Sequence, residues 1–410
     1  MENKTGNGTQ VQKAQSSSQP TASALDLGAV RKKLQELERT LNALVPGHPE
    51  MIRGLVLGLA AGEHVAVIGP PGIAKSYAIR ALSQLIGAKF YSYLMTKFTT
   101  YDELFGPVDV AELARGNFKR RYSDIVVADV VFLDEVFKAN SAVLNALLSL
   151  MQERVVYDPM SGVAVQANLH VLIGASNEAP ADEELAALFD RFAVKVYEGY
   201  LQDDAALLKA LEARWAGNGA PSTAVVSMQE VRQVSEYVRA VLLARVAELN
   251  NEALYRIYAV NAIPLVKTLR QRGVLVSDRY AVEKLPKLYA AYLVLYGPTP
   301  ENVVGAVYEL IQYTARSRQE LADIRKFLDE AMGEVGELAK RLEEAKAQVR
   351  GGDLRGAKEK LMSVVNFDLS KIEKTPWMKP RVEAIISSAR EYLRQIESIE
   401  KTLKSLAGEE

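Results

Sequence analysis

Eight consecutive residues near the start of this 410-residue chain form the first pattern with clear chemical meaning. They follow the short apolar run His64–Ile68 and precede an apolar helical segment, Tyr77–Ile86. A G-x-x-x-x-G-K-[ST] loop between a strand and a helix directs backbone N–H groups and a helix amino terminus at phosphate oxygens. A chance Pro/Gly turn is the alternative. The pattern predicts a nucleotide-binding loop made of Gly69, Pro70, Pro71, Gly72, Ile73, Ala74, Lys75 and Ser76.

Two adjacent acids provide the second candidate for chemistry. Asp134 and Glu135 end the apolar run Val130–Leu133, about 60 residues after the loop. Strand ends in a parallel sheet face the ligand crevice. We therefore expect Lys75 to contact the β- and γ-phosphates and Ser76 and Asp134 to bind Mg²⁺, while Glu135 deprotonates the attacking water. An acidic strand end in an ordinary loop is the alternative interpretation.

Three more polar residues are candidates on weaker grounds. Asn177 ends the buried run Leu172–Ser176 and is placed to bind the γ-phosphate or the attacking water, although Asn also commonly ends strands. Arg191 lies at a helix-to-strand junction, either paired with Asp190 or acting as an arginine finger on a neighbouring subunit. Arg279 begins an amphipathic helix, where it either belongs to a capping turn or reaches the γ-phosphate from a lid; the second reading is favoured.

These side chains need a scaffold, and the hydrophobic pattern predicts one. Short apolar strands alternate with helical segments over residues 27–198, which predicts an α/β core with a parallel sheet sandwiched by helices. The pattern predicts an all-helical lid over residues 199–315. It predicts a helical hairpin or short coiled coil over residues 316–410. Residues 1–26, rich in Gly, Ser, Thr and Gln, are predicted to be a disordered tail.

Composition excludes several classes of protein. The chain has no cysteine, which rules out disulfide scaffolds, thiol nucleophiles and iron–sulfur clusters. Its 50 basic and 51 acidic residues give a net charge of −1, which argues against bulk electrostatic binding of nucleic acid. No apolar run approaches the ~18–20 residues of a membrane span, and no signal peptide is visible. We therefore expect a cytoplasmic protein.

Taken together, these motifs resemble those of AAA+ ATPases. In that family the loop is Walker A, Asp134 and Glu135 belong to Walker B, and Asn177 and Arg279 are sensors 1 and 2. Over residues 30–315 the chain is most similar to the MoxR family and, within it, to RavA-like proteins, which also carry alanine before the Walker lysine. The words that carry this resemblance include Leu104-Phe105-Gly106-Pro107 and Val276-Ser277-Asp278-Arg279.

The resemblance implies a function and partners. MoxR-family proteins use ATP and Mg²⁺, form hexameric rings and remodel partner proteins, commonly with a von Willebrand factor A domain protein. We expect the same here. A nucleic-acid motor and a nucleotide-gated scaffold working through its C-terminal helices remain as alternatives.

The clade also inserts segments into its core, and two stretches of this chain fit. They are Leu104–Arg121 and a predicted hairpin, Val155–Val165. Such inserts line the ring pore or contact substrate. The basic and aromatic cluster Phe118–Tyr122 is therefore either a substrate-gripping loop or a solvated turn or subunit-interface patch.

Overall fold

A computed structural model describes residues 26–180, 182–202, 204–215, 223–244, 252–372 and 378–407. The predicted tail falls outside these ranges except for Asp26. That residue caps the first helix, because its carboxylate accepts the Ala29 N–H at 3.0 Å. No helix of the described ranges is both long enough and apolar enough to cross a membrane.

Strands in the described residues form one parallel sheet and one hairpin. The sheet has five strands in the order β2–β3–β6–β1–β7, and β4 pairs with β5 in an antiparallel hairpin. This confirms the predicted parallel sheet and hairpin. The strands are β1 (Val65–Ile68), β2 (Phe90–Leu94), β3 (Val130–Asp134), β4 (Val155–Tyr157), β5 (Ala164–Gln166), β6 (Val171–Ser176) and β7 (Val194–Tyr197).

The helices cover both faces of the sheet and continue beyond it. They are α1 (Leu27–Leu44), α2 (Pro49–Ala61), α3 (Lys75–Leu85), α4 (Tyr101–Phe105), α5 (Val110–Ala114), α6 (Ser141–Glu153), α7 (Glu183–Phe189), α8 (Asp204–Trp215), α9 (Met228–Leu243), α10 (Leu254–Gln271), α11 (Leu285–Tyr296), α12 (Pro300–Leu310), α13 (Arg318–Arg350), α14 (Leu354–Val365) and α15 (Lys379–Ala407).

The burial of each strand depends on which elements pack against it. β1, β6 and β7 are buried along their whole length, as their unbroken apolar runs predict. β2 and β7 are the two edge strands of the sheet: α2 and the turn Ile311–Thr314 pack against β7, whereas the residues of β2 are half-buried or exposed. Asp124–Val126, shortly before β3, is a 3₁₀ turn, and the Walker B strand begins at Val130.

Some of the helices after β7 pack on the amino-terminal helices as well as on one another. α9 and α11 lie against α2, and α11 also contacts α1. A π-helical turn, Tyr280–Lys284, precedes α11 and reaches the sheet, where the Tyr280 hydroxyl donates to the Ala193 carbonyl at 3.0 Å. This packing decides which edge of the sheet the lid residues can approach.

The C-terminal region is helical, as predicted, and its described residues include three α-helices. α13 and α14 form a hairpin around Gly351 and Gly352, and α15 packs on both of them and on α12. Gly352 has a φ of 83°, a conformation that favours glycine. The start of α13 is tied to the core because Arg325 pairs with Glu50 at 2.6 Å.

A buried lysine in β7 should make folding stability depend on pH. Lys195 is 2% exposed and lies over the rings of Phe189 and Tyr280. Burial, then the charge of Lys284, lowers its pKa from 10.5 to about 7. Between these values the unfolded chain binds a proton that the folded chain does not, so stability rises with pH across this window.

Substituting this lysine should change that dependence. We expect Lys195→Met to raise the free energy of unfolding at pH 7 and to lower its slope by about 1.4 kcal/mol per pH unit. Urea unfolding between pH 7 and pH 10 measures both quantities. Lys209→Met, at an exposed position on α8, is the control and should leave the slope unchanged. An unchanged slope in Lys195→Met would show that the amine is charged in the folded protein.

Candidate active site

The predicted nucleotide-binding loop lies at the carboxyl end of β1 and leads into α3, which begins at Lys75. The Lys75 ammonium donates to the carbonyl of Gly69, to that of Pro70 at 3.0 Å, and to Asn177 Oδ1 at 3.3 Å. Burial lowers the pKa of Lys75, and the charges of Asp134 and Glu135 oppose that shift. The amine is thus held at the mouth of the loop, facing two carboxylates.

Ala74, which stands where this loop normally has glycine, adopts the conformation that glycine would favour. Its φ is 62°, in the left-handed region. An L-residue there costs about 1–2 kcal/mol. The loop therefore keeps its usual backbone path despite the methyl group, and the strain lies beside the phosphate site, where backbone strain tends to collect.

The two adjacent acids lie beside the loop, at the end of β3. The Ser76 hydroxyl is 3.5 Å from Asp134 Oδ2, and Asn177 Nδ2 donates to Glu135 Oε1 at 2.9 Å. Glu135 has a φ of 55°, which turns the chain sharply after the strand. Lys75, Ser76, Asp134, Glu135 and Asn177 therefore form one cluster at the carboxyl edge of the sheet.

This cluster has the donor set that a nucleotide with Mg²⁺ requires. A serine hydroxyl and an aspartate carboxylate are hard oxygen ligands, which Mg²⁺ prefers alongside phosphate oxygens. The loop amides and the α3 amino terminus would receive the phosphates. Glu135 accepts a hydrogen bond from Asn177 and lies 3.5 Å from the Lys138 ammonium, which holds its carboxylate beside the phosphate site.

A cavity of about 740 Å³ opens beside the loop. Gly72, Ile73, Ala74 and Tyr77 line one side, and the α1–α2 connection together with Tyr200 and α8 lines the other. Its size and mixed lining suit a nucleoside, since ligand pockets commonly span about 300–1,000 Å³.

The sequence analysis missed His48, which lines this cavity, and Glu198, which holds His48 in place. The Nδ1 of His48 lies 3.0 Å from Glu198 Oε2; the other Glu198 oxygen accepts the Met51 N–H at 3.0 Å and so caps α2. Glu198 follows β7 directly, and the strand-end rule that selected Asp134 and Asn177 applies to it equally.

The two predicted arginines lie elsewhere, at the amino edge of the sheet. Arg191 precedes β7, and together with Arg279 it lines a cavity of about 280 Å³ that also includes Glu63 and His64, just before β1. The cavity has none of the loop residues in its lining. β1 and β7 run parallel in register, so this edge is the one opposite the nucleotide loop.

This placement corrects one expectation and removes one alternative. Arg279 does not reach the phosphate site of its own chain from a lid, because α9 and α11 pack on α2 and bring it to the amino edge. Arg191 is not held in an ion pair with Asp190: the Asp190 carboxylate lies 3.4 Å from the Ser277 hydroxyl and 3.8 Å from Arg316. Burial, and then the positive charge of Arg279, lowers the pKa of Arg191.

Both arginines of the basic cluster in the first insert form ion pairs. Arg120 is buried, pairs with Asp102 and Asp158 at 2.5 Å each, and lies over the Tyr101 ring. Arg121 pairs with Asp109 at 2.8 Å. Arg120 thus joins the first insert to the β4–β5 hairpin and is not free to grip a substrate.

Fold and site together define a P-loop ATPase of the AAA+ class. A family model described as the MoxR domain in the MoxR-vWA-beta-propeller ternary systems matches residues 32–236. The chain therefore belongs to the MoxR family of AAA+ ATPases.

Individual proteins are also similar to this chain. Two uncharacterised proteins of Methanocaldococcus jannaschii are each 34% identical, over 62% and 60% of this chain. The matches span 63% and 62% of those relatives, less than two thirds of either. Chaperone MoxR1 of Mycobacterium tuberculosis is 27% identical over 33% of this chain and 35% of its own length.

A solved structure supports the fold. It is a candidate ATPase of Cytophaga hutchinsonii, with a TM-score of 0.53 and 21% identity, covering 73% of this chain and 95% of that one.

Proposed function

We propose that this chain hydrolyses ATP as a subunit of a ring, hexameric by family resemblance, and uses the cycle in the cytoplasm to remodel a partner protein. A von Willebrand factor A domain protein is the proposed partner. The nucleotide binds at Gly69–Ser76 with Mg²⁺ on Ser76 and Asp134. The neighbouring subunit completes the site with Arg191 and Arg279.

The observation that carries this proposal is the placement of charge at opposite edges of one sheet. Four strand residues span about 13 Å before either connecting loop is added. Arg191 therefore cannot serve the nucleotide of its own chain. A head-to-tail contact between copies closes into a ring and brings the amino edge of one subunit to the carboxyl edge of the next.

Each side chain then has a defined task. Lys75 contacts the phosphates, Glu135 takes the proton of the attacking water, and Asn177 holds both the Lys75 ammonium and the Glu135 carboxylate in place. Bound Mg²⁺ would neutralise phosphate charge. The neighbour's Arg191 and Arg279 add positive charge where negative charge builds on the transferred group.

The partner assignment has separate support. The matched family model is described for systems that combine a MoxR domain with vWA and beta-propeller proteins.

Catalysis shared between subunits predicts a specific dependence on concentration. The ATPase rate per subunit should rise as the protein is concentrated, because each site is complete only when a neighbour is present. Phosphate release measured alongside light-scattering mass tests this. A rate per subunit that stays constant while the mass changes from monomer to ring would overturn the shared site.

A further inference from the structure

Lys284 is a buried lysine next to Arg191 that the mechanism above does not use. It ends the π-helical turn that begins one residue after Arg279, is 4% exposed, and lines the same cavity as both arginines. Its ammonium donates to the carbonyl of Asp190, the residue directly before Arg191. A lid residue thus holds the backbone that carries the arginine. Single π-turns of this kind occur frequently at functional sites.

Arg191 itself is braced on its flanks but not at its head group. Phe189 and Phe192 lie on either side of it in the chain, and both pack edge-on against Phe137, with ring centroids 5.2 Å and 6.2 Å away. The Nε of Arg191 is buried and has no hydrogen-bond partner among the described residues. A buried donor without an acceptor is costly, so this head group requires a ligand that accepts hydrogen bonds.

The charge of the cavity indicates the kind of ligand. Arg154, Arg239 and Lys287 line it in addition to Lys284 and the two arginines, against the acids Glu63 and Glu283. Burial, opposed by Asp190 and Glu63, lowers the pKa of Lys284 from 10.5 to about 8. The excess of positive charge around this cavity would be relieved by an anion, and the anion available at a subunit contact is the neighbour's triphosphate.

We propose that Lys284 is a positioning residue for shared catalysis, which holds the Asp190–Arg191 segment so that Arg191 points at the phosphates of the neighbouring subunit. This inference rests on the proposed function. A shift of about 1 Å in a catalytic group can cost about 10²-fold in rate. Lys284→Met, close in shape but without the donor, should therefore lower kcat about 10–100-fold. The KM for ATP should stay within about twofold, because the residue does not line its own chain's nucleotide cavity.

Mixed rings test whether the defect is on the proposed face. Lys284→Met subunits keep their own site, and Glu135→Gln subunits keep an intact amino edge, so each mutant alone should be slow. A 1:1 mixture should recover up to about one quarter of wild-type sites, those where a Glu135→Gln neighbour serves a Lys284→Met site. Lys284→Gln, which keeps a donor one bond shorter, should lose less activity than the methionine variant.

Matched variants separate the possible failures. Lys267→Met changes an exposed lysine on α10 that does not line this cavity, and its kcat should fall less than threefold. Wild-type kcat in Lys284→Met, or a mixture that stays inactive, would overturn the role of Lys284. Full activity in Arg191→Ala would instead overturn the shared site itself, whatever Lys284 does. Ring mass measured for every variant keeps assembly defects apart from both.

Discussion

Replacing Glu135 by glutamine is expected to lower kcat for ATP hydrolysis by about 10²–10⁴, the usual contribution of a positioned general base. The carboxylate accepts a hydrogen bond from Asn177 Nδ2 at 2.9 Å and lies 3.5 Å from the Lys138 ammonium. Glutamine keeps the shape and the backbone turn at this position but cannot take a proton. ATP binding should persist, because Lys75, Ser76 and the loop amides are untouched.

The measurement is steady-state phosphate release combined with equilibrium binding of ATP to the same preparation. Glu178→Gln is the matched control, since it removes an exposed carboxylate one residue beyond Asn177, and its kcat should stay within about twofold. A Glu135→Gln variant that keeps more than a tenth of the wild-type rate would show that another group activates the water.

Much of the nucleotide half of the site, at the carboxyl edge of the sheet, could be predicted from the sequence for local reasons. The loop motif prescribes its own strand and helix, and Asp134 and Asn177 each directly follow an apolar run. Parallel strands place such ends at one edge of the sheet. Glu198 obeys the same rule and was missed because a single acid after a strand, without a second motif, is an ordinary event.

The position of Arg279 could not be predicted in this way. A helix-starting arginine has the same local pattern whichever edge of the sheet its helix approaches. The deciding contacts are those of α9 and α11 with α2, helices that are more than 160 residues apart in sequence. The burial of Arg120 has a similar origin, because its partners Asp102 and Asp158 come from α4 and from the β4–β5 hairpin, which are far apart in sequence.

The packing around Phe137 connects the carboxyl edge of the sheet, where Glu135 lies, with the amino edge, where Arg191 lies. Phe137 lies two residues after Glu135, and its ring contacts Phe189 and Phe192, which flank Arg191. A movement of the Glu135 segment during hydrolysis would therefore displace Arg191, the arginine that we propose contacts the next subunit. This path is short and consists of close-packed rings, and close-packed interiors transmit strain.

Replacing Arg191 by alanine is expected to have the largest effect of any single change. An arginine supplied by a neighbour contributes about 10³–10⁵ in rate to phosphoryl transfer, so kcat should fall by a factor in this range. The affinity for ATP measured on isolated subunits should not change, because Arg191 lies at the opposite edge of the sheet from the nucleotide loop.

Arg191→Lys refines the argument, because lysine keeps the charge and loses the planar fork of donors that includes the unpartnered Nε. If charge alone matters, the lysine variant should recover most of the rate. If the fork contacts two phosphate oxygens, its kcat should remain within about tenfold of the alanine variant. Loss of ATP affinity in isolated Arg191→Ala subunits would contradict the assignment, since it would place the arginine at its own chain's nucleotide.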